Sequence, residues 1–75
     1  MQVTHTLSIH VPRLGEKIKE ARENDSRSLK EICTIAGMSP MNWYRIEDEK
    51  QTLPLETLRS IEKVLGVDFG VKFPE

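Results

Sequence analysis

Cysteine is nearly absent from this 75-residue chain, neither sign of charge is in surplus, and no apolar stretch is long. With Cys33 alone, no internal disulfide can form and no cysteine-based metal cage can be built. That economy fits a reducing compartment, and the cytoplasm is the expected one. A helix crossing a bilayer needs about 20 consecutive apolar residues. No such run exists, and Met1-Gln2-Val3-Thr4-His5 is not the basic-then-apolar opening of a secretory signal, so a soluble chain without membrane contact is expected. Eleven Lys and Arg stand against twelve Asp and Glu, a net charge of −1 that offers no general attraction for a polyanion. Nor do Ser8, His10 and Asp25 make a nucleophile–base set. The sequence therefore points to no enzyme, no catalytic residue, no metal and no small-molecule cofactor.

The charges that are present are distributed unevenly. From Arg13 to Arg45 there are seven basic and five acidic residues, and from Ile46 onward four basic and seven acidic. The length allows one domain, spanning 1–75. A chain this short buries only about 60% of its unfolded surface, which leaves a thin margin of stability.

Hydrophobic spacing divides the chain into segments. Val3, His5, Leu7, Ile9 and Val11 alternate with polar residues, a strand-like pattern over 3–11 that Pro12 stops. Leu14, Ile18 and Ala21 then recur at helical spacing until Asn24-Asp25. Ser28-Leu29-Lys30-Glu31 is a capping box that opens a short helix with Leu29, Ile32, Cys33 and Ala36 inward, and Gly37 closes it. Ser39-Pro40 supplies an N-cap and a first-turn proline for a third helix over 39–47. Lys50-Gln51-Thr52 reads as a loop. Pro54 opens a fourth helix striped by Leu55, Leu58, Ile61 and Leu65 and ended by Gly66, and 67–73 alternates again as a strand would.

Two short helices joined by Gly37-Met38 have the layout of a helix-turn-helix, in which the second helix is free to protrude. Over Leu14 to Val67 the chain resembles the phage-repressor-like (Xre/Cro-type) helix-turn-helix family. The matching pieces are Leu14-Gly15-Glu16-Lys17-Ile18 with Arg22, Leu29-Lys30-Glu31-Ile32-Cys33, Gly37-Met38-Ser39, Trp43-Tyr44-Arg45-Ile46-Glu47, and Leu55-Glu56-Thr57-Leu58 through Leu65-Gly66-Val67. The resemblance implies a mainly α fold: a compact bundle of four to five helices with its core at 13–67, here extended by short terminal β-strands at 3–11 and 67–73. It also implies a transcriptional regulator, such as a repressor, that binds double-stranded operator DNA as a homodimer through a recognition helix at 39–47.

Carried over position by position, Ser39, Pro40, Met41, Asn42, Tyr44, Arg45 and Lys50 face the DNA, and Arg22 pairs with Glu47. Arg45 is the strongest single contact, because arginine can donate two hydrogen bonds to guanine. Three positions depart from the family pattern. Leu29 stands where glutamine is common, Pro40 has no side-chain donor, and Glu49 stands where glycine is common. Glu47-Asp48-Glu49 also places three acids where a phosphate approaches in relatives. These departures keep open a second reading, a protein-interaction module that retains the fold without tight DNA binding.

Trp43 is expected in the core rather than on a nucleic-acid platform, Cys33 as a buried small hydrophobe, and His5 and His10 as solvent-facing strand residues. The two terminal segments, 4–11 and 68–73, are expected to pair and to join a mate across a two-fold axis, burying Leu7, Ile9, Val71 and Phe73.

Overall fold

A computed structural model describes residues 1–74. Among them the chain begins with a β-hairpin, β1 (Gln2–Thr4) and β2 (Ser8–His10), paired antiparallel with Val3 opposite Ile9. The single strand expected over 3–11 is thus two strands folded on each other. His5-Thr6-Leu7 makes the reversal, closed by the His5 N–H donating to the Leu7 carbonyl at 2.9 Å. None of these three residues has a positive φ. The turn therefore needs no glycine or asparagine, and the alternating pattern runs through it without a break. A two-residue strand, β3 (Leu53–Pro54), lies parallel to β1 on its other side, giving the order β2-β1-β3.

Four helices follow: α1 (Leu14–Glu23), α2 (Leu29–Ala36), α3 (Pro40–Glu47) and α4 (Leu55–Leu65), of which α2 and α3 carry side-chain N-caps. Both halves of the capping box at α2 form, with the Glu31 N–H donating to the Ser28 hydroxyl at 3.1 Å and the Ser28 N–H to Glu31 Oε1 at 3.2 Å. Gly37, at φ 73°, occupies the left-handed region that ends α2 and frees the chain to restart two residues later. Ser39 caps α3 by accepting the Asn42 N–H at 3.2 Å. The apolar stripes meet in one core of Leu14, Ile18, Ile32, Cys33, Trp43, Ile46, Leu58 and Ile61, closed on one side by Val3 and Leu53 of the sheet. Trp43 and Cys33 are both buried there. A radius of gyration of 11.6 Å is that of a tightly packed chain of this length, about 11 Å.

The C-terminal segment corrects the second strand expectation. Residues 67–74 form no strand and do not pair with the hairpin. Their backbone is held by side chains of α4 instead: Glu62 accepts the Phe69 N–H at 2.8 Å, and Arg59 donates to the Val71 carbonyl at 2.7 Å. Gly70, at φ 74°, with Asp68 accepting its N–H, bends the segment out of strand geometry. Val71 is buried and Phe69 and Phe73 are partly so, which accounts for the alternating pattern. The sheet of two mates built from 4–11 and 68–73 therefore lacks one of its two strands.

Gly15 sets the distance between α1 and α3. A Cβ at this position would collide with the backbone carbonyls of Glu47 and Ile46, and main-chain atoms cannot rotate aside. Alanine would gain at most about 1 kcal/mol of helix propensity. Overpacking against a fixed wall costs about 1–3 kcal/mol. The steric cost wins, so Gly15→Ala is expected to destabilise the chain, lowering the melting midpoint by about 4–8 °C per kcal/mol of net loss in a thermal scan.

Between α1 and α2, Arg27 ties the connection to the last helix. Its guanidinium donates to both carboxylate oxygens of Asp25, at 2.9 and 2.7 Å, and to the Val64 carbonyl of α4 at 2.5 Å. The side-chain bonds from Arg27, with its backbone N–H, hold the Asp25 carboxyl at about 2, below the ordinary 3.8. On acidification the unfolded chain takes up this proton before the folded chain does. The stabilisation is therefore complete above about pH 4 and fades as the pH falls toward 2. A urea midpoint measured across that window should fall, and fall less steeply in Asp25→Asn.

Candidate nucleic-acid interface

α3 presents two unlike faces. Trp43 and Ile46 point into the core, while Met41 is 75% exposed and Tyr44 50% exposed. Arg45 is exposed beside them, and positions 41, 44 and 45 share one side of a helix. Ser39 and Pro40 are exposed at the helix start and Lys50 just past its end. The structure thus brings six of the seven residues expected to face DNA to the surface of α3 and its flanks. Asn42 differs. It is half-buried, with its amide nitrogen 3.9 Å from Met38 Sδ and its Oδ1 accepting from Gln51 Nε2 at 2.8 Å.

Gln51, in the loop between α3 and β3, is a further member of this site. Its Oε1 accepts from Arg45 Nε at 3.1 Å, so it bridges Asn42 and Arg45. No local pattern marks such a residue, because the bridge depends on how the chain returns after α3. That return turns on Glu49, at φ 55°, with the Lys50 N–H donating to the Arg45 carbonyl at 2.9 Å. The turn needs a left-handed residue here, a conformation that a side chain disfavours.

Of the acidic run 47–49, two members are turned away from the exposed face. Glu47 is buried and accepts three hydrogen bonds: from Arg22 Nε at 2.6 Å, from Arg22 Nη2 at 3.0 Å and from the Trp43 indole N–H at 2.6 Å. The bonds to Glu47 raise the Arg22 pKa further, against the opposing effect of burial. The same guanidinium lies 5.7 Å from the centre of the Tyr44 ring, bracing that ring from one side. Glu49 reaches back to the start of α1, where its Oε2 accepts the Gly15 N–H at 3.0 Å and its Oε1 lies 3.0 Å from the Met1 ammonium. Burial alone would raise the Glu49 pKa, but these two donors outweigh it and lower it. Asp48 stays exposed.

The remaining chemistry-bearing residues lie elsewhere. His5, in the hairpin turn, meets Phe73 edge-on with ring centroids 5.8 Å apart, and His10 Nδ1 is 3.4 Å from the Met1 nitrogen. Burial pushes the Cys33 thiol up. Among the described residues no group of three or more His, Cys, Asp or Glu side chains is placed to hold a metal ion. No helix among them is long and apolar enough to cross a membrane.

No family model matches the chain, and neither the curated proteins nor the solved structures include one significantly similar to it.

Arg22 and Glu47 should prove unequal when removed. The Glu47 side chain is only 2% exposed and that of Arg22 18%. Arg22→Leu leaves a buried carboxylate with the Trp43 N–H as its one remaining bond among those described, a loss of about 3–5 kcal/mol. A domain of this size has only about 4–11 kcal/mol of total stability. Glu47→Gln keeps an acceptor for Trp43 and strands the more exposed partner, so it should cost less. Trp43 fluorescence during thermal unfolding reads both, and the expected order is wild type, Glu47→Gln, then Arg22→Leu.

Proposed function

We propose that this chain is a sequence-specific double-stranded-DNA-binding protein that regulates transcription. In this reading α2, the Gly37-Met38 turn and α3 make a helix-turn-helix, and α3 enters the major groove with its N-terminal half against base edges. The observation that supports it most is the exposed Met41–Tyr44–Arg45 face on a helix whose opposite side is locked into the core. Such a face on so small a domain is a contact surface rather than a packing surface.

The main objection from sequence, the acidic run, loses most of its force. Glu47 is buried against Arg22, and Glu49, though exposed, directs its carboxylate to the Gly15 N–H and the Met1 ammonium. Leu29 is partly buried against the core, so its place in the family pattern is taken by a packing residue and the DNA contacts fall to α3 and its flanks. Arg45 reads a base, Met41 offers an apolar contact such as a thymine methyl accepts, and Ser39, Tyr44 and Lys50 serve the phosphates. A homodimer completes the reading, since two-fold-related recognition helices address two half-sites one turn of DNA apart. With 68–73 held against α4, pairing of 4–11 with 68–73 does not supply the contact between mates.

Fluorescence polarisation with duplexes from a binding-site selection tests this. Affinity should fall linearly with log salt, and Arg45→Ala should weaken the selected site by about 1–3 kcal/mol while relaxing one base position. Sedimentation on the selected duplex should show two chains bound. A chain that binds no duplex at about 50 mM salt, or an Arg45→Ala variant with undiminished affinity for the selected site, would overturn the assignment.

A further inference from the structure

The Asn42–Gln51–Arg45 chain of hydrogen bonds limits what this face can read. Arginine carries five N–H donors, one on Nε and four on the terminal Nη1 and Nη2. Arg45 Nε is committed to Gln51 Oε1, and among the described residues no partner takes the terminal pair. The free donors of Arg45 are therefore the four on Nη1 and Nη2, and one from each nitrogen makes an end-on fork of two parallel N–H groups. Gln51 is itself fixed from behind, because its Nε2 is committed to Asn42 Oδ1. Asn42 in turn is half-buried, with its amide nitrogen against Met38 Sδ. Both ends of the bridge are anchored in the fold: Asn42 sits on the first turn of α3, and Gln51 lies two residues before Leu53, which is fully buried and pairs with β1.

We infer that Arg45 is a dedicated guanine reader and that Gln51 and Asn42 are positioning residues that aim it, with Asn42 itself making no base contact. The inference rests on the DNA-binding reading above and specifies its ligand. Two parallel donors match the adjacent O6 and N7 acceptors on the major-groove edge of guanine. Adenine offers N7 beside an N6 amino group, which would set donor against donor at one tine of the fork. An asparagine reading adenine must accept from N6 and donate to N7 with one amide plane. Asn42 has that plane committed to Gln51 on its oxygen side and turned to Met38 on its nitrogen side. An arginine on an exposed helix face would otherwise sample many rotamers. Holding Nε removes most of them before DNA arrives, which lowers the entropy lost on binding.

The experiment is a binding-site selection with the full chain, then polarisation titrations. For each variant, affinity for the selected duplex is divided by its own affinity for the duplex in which the guanine opposite Arg45 is replaced by adenine. In the wild type this ratio should be roughly ten- to hundredfold. Gln51→Met keeps the length and packing of the side chain but can bridge nothing, and Asn42→Ala removes the other anchor. Each should cut the ratio to within a few-fold of unity at that base pair, leaving preferences at the other positions as they were. Asn42→Asp keeps an oxygen for Gln51 Nε2 and should restore most of the ratio, which a side chain reading its own base could not do. Circular dichroism melts of the same proteins confirm that the folded chain is being compared. A Gln51→Met ratio within about twofold of the wild type, or a separate base preference that vanishes with Asn42→Ala, would overturn the inference while leaving DNA binding intact. A wild-type chain that enriches no sequence at all would instead remove the reading on which it rests.

Discussion

A carboxylate taken out of water must find donors for its charge, and the burial of Glu47 organises much of this molecule. Its oxygens take two hydrogen bonds from Arg22 on α1 and one from the indole of Trp43, one turn back along α3. The three groups close over one another at the α1–α3 contact, where Gly15 lets the two backbones approach. Neither helix can rotate without stranding a charge. The face of α3 opposite that contact is thereby held outward, and Met41, Tyr44 and Arg45 are exposed because Trp43, Ile46 and Glu47 are not. Arg22 also stacks on Tyr44, so the group that neutralises the buried acid braces an exposed aromatic ring.

Glu49 extends the same arrangement past the end of α3. Its left-handed backbone turns the chain, and its carboxylate fastens the turn to the first turn of α1. That turn fixes the course of residues 50–53: Gln51 is delivered beside Asn42 and Arg45, and Leu53 reaches β1. One line of contacts thus runs from Gly15 through Glu49 to Gln51 and Arg45.

The hairpin and the C-terminal segment both pack onto the core. Val3 and Val71 are buried, and Arg59 and Glu62 of α4 satisfy backbone groups that a ladder would otherwise have to pair. The additions outside the helices thereby cover apolar surface that a four-helix chain of this length would leave wet. A small domain gains from such cover, because its fraction of buried surface is low.

The sequence by itself determined the four helices and their ends. Capping serines, the Pro40 start and the Gly37 and Gly66 stops act within a few residues, so their chemistry is local and legible. It also determined the inward stripes, including Trp43 and Cys33, because helical spacing sorts residues by face. The alternation in 3–11 and 67–73 was real, but alternation records only which side is buried. It cannot say whether the backbone pairs with a strand, folds on itself or is held by side chains. Tertiary structure decided that, through a turn that requires no special residue at 5–7 and through the reach of Arg59 and Glu62. It decided the meaning of 47–49 as well. Charge counts place three acids beside the exposed face, whereas Arg22, distant in sequence, draws Glu47 inward, and Gly15 and Met1 pair with Glu49. Gln51 had no signal at all, since its role comes from the side chains that the turn at Glu49 sets around it, and no local pattern encodes that proximity.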